Sequence, residues 1–190
     1  MTTWQEDLEK AVAYHGHLCG GQILGVRMAR KGLELMGLTG KWGEDLRDVI
    51  VILEADRCMA DAAYAVTGCT IGRRRVKVMP YGKTAMSFLD LNTGRAFRVF
   101  AKKGAPRPGP EVEDLVGFWS KMTDDEILGW QEVEIKLPPE ELPGKPLATV
   151  TCQACGDDIM DRREVRADGR TLCKACAGQA YYKPLGTSAS

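Results

Sequence analysis

The stretch DVIVILEADRCMADAAYAVTG, residues 48–68, joins two kinds of secondary structure without a break. Its first half, DVIVILEAD, is a short run of β-branched and apolar residues, which is typical of a buried strand. Its second half, DRCMADAAYAVTG, suits a helix that ends at Gly68. We therefore expect a domain that contains both helices and strands.

Two helices are predicted before this stretch. In TWQEDLEKAVAYH, Thr3 is a suitable N-cap with Glu6 three residues later, and the helix is expected to end at about His15. In GGQILGVRMARKGLELMG, apolar residues recur close to a period of 3.6, so a second helix is expected over residues 20–37. Both of the chain's histidines lie where the first helix is expected to end.

Strands are the main prediction after residue 68. RVKVMPYG, TAMSFLDLN and RAFRVFAK are three strand candidates, and residues 92–94 would connect the last two as a hairpin. Two further helices and one more strand are expected after them, at residues 110–122, 123–128 and 130–137. The first domain is therefore predicted to be α+β.

A proline-rich segment divides the chain. LPPEELPGKP has four prolines in ten residues, which excludes a helix or a central strand. We predict a first domain over residues 1–137, a linker over 138–147 and a small second domain over 148–190. A chain of 190 residues has room for one ordinary domain and a small appended one.

Composition limits the classes of partner. The formal net charge is zero, so no overall field attracts the protein to nucleic acid or to an anionic membrane. The sequence has no apolar run long enough to span a membrane, and MTTWQEDLEK lacks the features of a secretory signal. We therefore expect a cytoplasmic protein. In a reducing cytosol, seven cysteines indicate metal binding or thiol chemistry rather than disulfides.

Four of the cysteines form two CxxC pairs near the C-terminus, separated by seventeen residues. They are Cys152, Cys155, Cys173 and Cys176. Four thiolates at this spacing can bind one zinc ion tetrahedrally, and the segment between the pairs is expected to form a hairpin that turns at Asp168 and Gly169. Because such a site has no open coordination position, we expect this zinc to be structural and any catalysis to lie elsewhere.

The sequence HGHLC, residues 15–19, combines three side chains that can bind metal. His15 and His17 are the only histidines of the chain, and Cys19 directly precedes the second predicted helix. A cysteine at a helix N-terminus is stabilised as a thiolate, which favours metal binding or nucleophilic attack. These residues alone leave two alternatives open: a site that binds one metal ion, and a structural corner in which Cys19 packs in the core.

A second polar cluster lies at the end of the segment predicted as a strand, residues 48–56, and directly after it. It consists of Glu54, Asp56, Cys58 and Asp61. Cys58 and Asp61 lie three residues apart, on one face of the next predicted helix. Because ligands bind at the carboxyl ends of strands in α/β sheets, these two side chains are candidates for the same site as His17 and Cys19. Cys69, further along, is expected to serve in packing.

These motifs resemble the family of the E subunit of formylmethanofuran dehydrogenase. The matching elements are HGHLCGGQILGVRMA, DRCMADAAYAVTGCTIG, YGKTAMSFLD and the C-terminal four-cysteine module, so the resemblance covers nearly the whole chain. It implies a thioredoxin-like α+β domain with a mixed sheet flanked by helices, and a homodimer. It also implies a cleft built from the HxHxC segment and the second cysteine helix.

The resemblance further implies which residues form the site. Carried over to this chain, they are His17, Cys19 and Cys58, which are also the candidates for any catalysis, with His15 and Asp61 beside them. Soft ligands favour zinc as the metal of this site, with iron or nickel as alternatives. One departure follows Cys19, where the family usually has proline and this chain has glycine. A looser turn there would change the metal affinity or the orientation of the thiol.

Three functions are compatible with these residues. The first is a metal-binding protein of anaerobic one-carbon or redox metabolism, and whether it is an enzyme stays open. The second is a non-catalytic accessory subunit of a larger molybdenum or tungsten enzyme. The third is nucleic-acid binding through the zinc module. It is disfavoured, because basic runs such as RRRVK and KKGAPRP are typical of solvated faces.

Overall fold

The computed structural model of the protein describes residues 2–38 and 46–186. The chain forms two compact units, Met1–Lys136 and Leu137–Ser190. The division falls at the start of the proline-rich segment, and a linker over residues 138–147 stays a prediction. No helix in the described part of the chain is long and apolar enough to cross a bilayer.

The first unit is built on a five-stranded sheet with the strand order β2-β1-β3-β4-β5. Its strands are β1 (Val49–Leu53), β2 (Val76–Val78), β3 (Ala85–Asp90), β4 (Ala96–Ala101) and β5 (Leu128–Glu132). β1 and β2 are parallel, and every other neighbouring pair is antiparallel. The sheet is therefore mixed, as predicted, while a thioredoxin-like topology stays an expectation.

Five α-helices in the described part of the first unit accompany this sheet. They are α1 (Trp4–His15), α2 (Gly20–Leu35), α3 (Met59–Thr67), α4 (Leu115–Ser120) and α5 (Asp124–Ile127). α2 packs on β3 and β4, and α1 packs on α2 and α3. α3 connects β1 to β2, which explains how two strands close in sequence come to be parallel.

The predicted start of the first helix is confirmed. The Thr3 hydroxyl accepts a hydrogen bond from the Glu6 backbone N–H at 3.2 Å, and the Glu6 carboxylate accepts from the Thr3 backbone N–H at 2.6 Å. Hydrogen bonds from the Thr3 backbone and hydroxyl lower the pKa of Glu6. The other end is equally well defined, because Gly16 adopts a left-handed conformation there, with φ 96°.

The helix predicted over residues 110–122 is wrong in its start. α4 begins only at Leu115, because the Asp114 carboxylate caps it by accepting from the Gly117 backbone N–H at 2.8 Å. The three prolines at positions 106, 108 and 110 lie outside the helix, before its cap.

The strand predicted over residues 130–137 is also wrong in its bounds. β5 begins at Leu128, whose partner across the sheet is Ala101. Gly129 is paired with Phe100, and a Cβ on this glycine would lie 2.5 Å from the phenylalanine ring. The Phe100 ring occupies the space where a side chain at position 129 would lie, so a glycine fits this strand position. The pattern of apolar residues in the sequence does not reveal such a contact.

The core of the first unit lies between the sheet and α2. Phe88, on the central strand β3, is fully buried and its ring faces Gly32 of α2. A Cβ on Gly32 would lie 2.1 Å from that ring, so only glycine fits at this point of the helix. A Cβ on Gly25, nearer the start of α2, would likewise lie 2.7 Å from Ala62 and 2.8 Å from Met59 of α3. These two glycines set how closely α2 approaches the sheet and α3.

The second unit consists of two small hairpins. They are β6 (Thr149–Thr151) with β7 (Asp158–Met160), and β8 (Val165–Ala167) with β9 (Arg170–Leu172). A short 3-10 helix, Pro139–Glu141, precedes them, and a distorted helical turn, Ala175–Gln179, follows. The predicted turn is confirmed: Asp168 and Gly169 both have positive φ, 50° and 71°, which is the geometry of a two-residue hairpin loop.

We expect Gly32→Ala to destabilise the first unit by about 1–3 kcal/mol, because the added methyl group must displace the Phe88 ring. The matched control is Gly72→Ala, since no atom lies within 4 Å of a Cβ at that position. Urea denaturation of both variants measures the difference. Equal stability of the two variants would show that the ring can move at no cost.

Candidate metal centres

The end of α1 places both histidines together. His15 is the last residue of the helix, and Gly16 then reverses the chain, with its N–H donating to the Val12 carbonyl at 2.8 Å. This turn folds His17 back over the helix end, so that the two imidazole ring centroids lie 4.6 Å apart. The sequence HGH therefore encodes a left-handed glycine that brings its two neighbours to one side.

Cys19 joins these histidines. A nitrogen of His15, a nitrogen of His17 and the Cys19 sulfur all lie within 4.8 Å of one another. Ligand atoms about 2.0–2.3 Å from one zinc ion are roughly 3.3–3.8 Å apart in a tetrahedral site, so small side-chain movements would bring all three onto one ion. Cys19 is also the N-cap of α2, and its side chain makes no capping hydrogen bond.

Asp61 orients one of the imidazoles. Its Oδ2 lies 2.7 Å from His15 Nδ1, so an ionised Asp61 accepts a hydrogen bond from Nδ1–H, and Nε2 is the nitrogen that remains for another partner. His15 Nε2 is buried and has no hydrogen-bond partner among the described residues. A carboxylate behind one imidazole nitrogen and an unpaired second nitrogen are the arrangement that metal-binding histidines have in proteins.

Cys58 lies beside this group rather than in it. It is the N-cap of α3, and its sulfur and that of Cys19 lie 3.5 and 3.6 Å from the position of a Cβ on Gly21. Because both sulfurs lie close to this one point, the distance between them is at most the sum of these two distances. Burial, and then the neighbouring Cys19 thiol, raise the pKa of Cys58. Its thiol therefore favours the protonated form in the absence of an ion.

The structure thus rearranges the expected set. We expected His17, Cys19 and Cys58 to converge, with His15 alongside. The tightest group instead contains His15, while Cys58 stands next to Cys19 and Asp61 lies behind His15. The reason is the left-handed turn at Gly16, which places His15 beside His17. The periodicity of apolar residues in the sequence does not predict this turn.

One residue that supports this region was missed by sequence reasoning. Gln22 of α2 is fully buried, and its Nε2 donates to the Cys58 carbonyl at 2.5 Å, which ties the start of α3 to the start of α2. A glutamine next to Ile23 on the apolar face of a helix is the signal that could have identified it. The packing role expected for Cys69 is confirmed, since it is fully buried and its thiol donates to the Val49 carbonyl at 3.6 Å.

Glu54 has a separate role. It is buried at the end of β1, and the Arg98 guanidinium donates to both of its carboxylate oxygens, at 2.5 and 2.8 Å. The hydrogen bonds from Arg98 lower the pKa of Glu54. The polar cluster that follows β1 in sequence is therefore divided, with Glu54 in an ion pair and Asp61 at the imidazole.

The second unit contains the other cluster. The sulfurs of Cys152, Cys155, Cys173 and Cys176 all lie within 4.8 Å of one another. The Cys173 backbone N–H donates to the Cys152 sulfur at 3.3 Å, and the Cys176 N–H donates to the Cys173 sulfur at 3.4 Å. Such N–H groups stabilise thiolates, and a set of four closes the coordination of a zinc ion.

The charges of these four thiols interact strongly. Hydrogen bonds from the Cys155 and Cys173 backbones lower the pKa of Cys152 to about 6. The neighbouring Cys173 and Cys155 thiols raise the pKa of Cys176 to about 12. Four thiolates this close repel one another, and a bound dication removes the repulsion.

Two family models match this chain, and each matched range contains one of the clusters. The family model described as "FmdE, Molybdenum formylmethanofuran dehydrogenase operon" matches residues 14–142, a range that contains the whole histidine and cysteine group. A second family model, "Prokaryotic dksA/traR C4-type zinc finger", matches residues 145–182, which contain all four C-terminal cysteines.

Two individual proteins are similar to this chain. One is a tungsten formylmethanofuran dehydrogenase E-subunit (FmdE)-like protein from Syntrophus aciditrophicus, known from a crystal structure, which is 25% identical in sequence. The match covers 96% of each chain with a TM-score of 0.62. A protein of Archaeoglobus fulgidus described as "Probable S-adenosyl-L-methionine-binding protein" is 29% identical over 94% of this chain. The chain spans about half the length of that curated relative, 54%.

We expect Glu54→Gln to destabilise the first unit by about 1–3 kcal/mol at neutral pH, because the partly buried Arg98 loses its charged partner. Since the pKa of Glu54 in the folded protein lies below its ordinary value of 4.5, the pair stabilises the fold above that value. Its contribution is lost as pH falls through the folded pKa, so the difference between the two proteins should shrink in acid. Denaturation at several pH values measures it.

The control for this variant is Glu132→Gln. Glu132 pairs with Arg95 at 3.4 Å on the same sheet, but both side chains are more than half exposed, so the expected loss is below about 1 kcal/mol. A loss at Glu54 that equals the loss at Glu132, or that does not change with pH, would contradict the role given to the pair of Glu54 and Arg98.

We expect Cys155→Ser to remove one zinc ion per chain and to unfold the second unit, because so small a core depends on its metal. Elemental analysis measures the metal, and amide hydrogen exchange measures the fold of residues 149–179. Lys174→Ser, which alters a residue between two ligands, should change neither quantity. A second unit that keeps its protection without zinc would refute the structural role.

Proposed function

The chain belongs to the FmdE family, and from this premise we propose that its first unit is a metal-binding domain in which His15, His17 and Cys19 bind one transition-metal ion. The observation that carries the proposal is the state of His15. Its Nδ1–H is held by Asp61, and its Nε2 is buried without a partner among the described residues, next to two other ligand atoms. A buried polar atom that lacks a partner costs stability, and an ion would supply that partner.

The donor set fits zinc, with iron or nickel as alternatives. Two imidazoles and one thiolate are three protein ligands, which in zinc proteins is typical of sites that keep a fourth position for water or a substrate. An ion held in this way supplies Lewis acidity and can activate a bound water. The neighbouring Cys58 thiol is the protein group best placed to take the fourth position.

Each nearby residue has a distinct task in this proposal. Asp61 fixes the tautomer and the ring plane of His15 and holds the proton at Nδ1. Gly16 turns the chain so that His17 lies beside His15. Gln22 holds the Cys58 backbone in place through its carbonyl. Cys58 provides either a fourth ligand or a second thiol for redox chemistry with Cys19.

In the second unit we propose a structural zinc ion bound by the four C-terminal cysteines. The match to a C4-type zinc finger and the mutual distances of the four sulfurs support it. A site with four thiolates leaves no position for a substrate, so its contribution is to the folding of the unit.

For the cellular role we propose anaerobic one-carbon or redox metabolism, in the cytoplasm and as a homodimer. The family model and the Syntrophus aciditrophicus structure, which are both named for formylmethanofuran dehydrogenase, support the metabolic part of this proposal. A role as a non-catalytic accessory subunit of a larger molybdenum or tungsten enzyme fits the same observations. Zero net charge gives no support to nucleic-acid binding.

The test measures a second metal ion in the full chain, purified without oxygen and titrated with zinc in competition with a chromophoric chelator. We expect one site beyond the four-cysteine zinc, lost in His15→Ala and in Cys19→Ser. Asp61→Asn should weaken this site about 10–100-fold, because the imidazole is no longer oriented. Glu9→Gln, an exposed carboxylate on the same helix as His15, is the matched control and should have no effect.

Cobalt substitution tests the role of the two thiols. The charge-transfer band between cobalt and sulfur should disappear in Cys19→Ser and should weaken in Cys58→Ser if the second thiol also binds. A wild-type protein with one zinc ion only, that of the four cysteines, would overturn the proposal for the first unit. The close pair of thiols would then be its remaining chemistry.

A further inference from the structure

A cleft of about 570 Å³ opens at the carboxyl ends of the parallel strands β1 and β2. Leu53, the last residue of β1, and Val78, the last residue of β2, both line it. The volume is within the range of small-molecule sites, and the carboxyl end of a parallel strand pair is where α/β sheets bind their ligands. His15 and Cys58 lie in its wall, so the cleft adjoins the metal-binding group.

One side of this cleft is apolar and uncovered. Tyr14 and Tyr64 are in ring contact, with centroids 4.5 Å apart, and both line the cleft. Tyr14 is 60% exposed, and Ile71 and Val78, which also line it, are 71% and 40% exposed. Apolar side chains this exposed around a concave surface indicate a place where a planar or apolar group of a ligand is bound.

The rim of the cleft carries two unpaired charges. Asp56 and Arg57 are exposed there, and within residues 2–38 and 46–186 neither side chain has a hydrogen bond or an ion pair. A free carboxylate accepts from an ammonium group, and a free guanidinium donates to a carboxylate in a bidentate manner. Asp56 and Arg57 are adjacent, of opposite charge, and not paired with each other. Together they are complementary to a zwitterion, which carries one ammonium and one carboxylate group.

We propose that this cleft binds a zwitterionic small molecule of the α-amino-acid type that carries a planar ring. The ring lies against Tyr14, the ligand's carboxylate binds Arg57 and its ammonium group binds Asp56. A polyphosphate is disfavoured, because Arg57 is the one cationic side chain that does not pair with a carboxylate among the described lining residues. The loop of residues 54–58 also has no glycine that would cradle a phosphate. Ligand binding here goes beyond metal binding and does not require an ion in the neighbouring site.

The experiment uses three probes with the same ring on the full chain: L-tryptophan, tryptamine, which lacks the carboxylate, and indole-3-propionate, which lacks the ammonium group. Calorimetry or ligand-observed NMR measures their dissociation constants. We expect L-tryptophan to bind about tenfold more tightly than either analogue, because each analogue loses one charge-assisted hydrogen-bonding partner. Equal affinity for all three probes, or no binding of L-tryptophan, would overturn the proposal.

Three variants assign the contacts. Arg57→Gln should weaken L-tryptophan and indole-3-propionate about tenfold and leave tryptamine unchanged, and Asp56→Asn should show the converse pattern. Tyr14→Ala should weaken all three probes. Arg107→Gln, an exposed arginine that does not line the cleft, is the matched control. If Arg57→Gln weakens tryptamine as much as indole-3-propionate, the guanidinium does not bind the carboxylate and the assignment is wrong.

Discussion

The close packing of α2 against α3 is the constraint on which the rest of the first unit depends. Gly21 and Gly25 lie on one side of α2, and a Cβ at either position would come within 3 Å of Cys58 or of α3. Gly32, further along α2, admits the Phe88 ring in the same way. Helices normally pack 8–10 Å apart, and glycines allow the shorter end of that range. Larger residues at these positions would separate the two helices and would move the side chains at their N-termini.

The functional consequence lies at the helix starts. Cys19 is the N-cap of α2 and Cys58 is the N-cap of α3, so the glycines that bring the helices together also bring the two sulfurs together. Both sulfurs then lie at helix N-termini, where the positive end of the helix dipole is favourable for a bound anionic ligand. Gln22 reinforces the junction from within the core. The glycines of α2 are therefore the cause both of the close helix packing and of the close pair of sulfurs.

Much of this architecture could be predicted from local sequence patterns. Capping of α1 at Thr3, the helix end at Gly68 and the hairpin at Gly169 each depend on a few neighbouring residues with a fixed chemistry. The four-cysteine cluster was predictable for the same reason, since its spacing alone fixes which side chains can meet. The bounds of α4 and β5 depend on a cap at Asp114 and on the space beside Gly129, and neither is visible in a periodic pattern.

The histidine and cysteine group of the first unit was predicted in its members but not in its arrangement. His15 contacts Asp61, which is distant in sequence, and that contact exists only after α1 has packed on α3. Glu54 is close to Asp56 and Asp61 in sequence, but its carboxylate binds Arg98 rather than a member of the histidine and cysteine group. Which neighbour a carboxylate contacts is a tertiary property, decided by burial and by the cations that the fold brings within reach.

His15 is both the last residue of α1 and a ligand candidate, which gives the helix two different kinds of end. Its first turn is fixed by the hydrogen bonds of Thr3 and Glu6, and its last turn is closed at Gly16 and offers the His15 side chain to an ion. Helix ends fray most easily where their backbone groups lack partners. An ion bound there would stabilise the ordered end by an amount that grows with its concentration relative to its dissociation constant, and the stability of this helix end would then depend on the supply of metal.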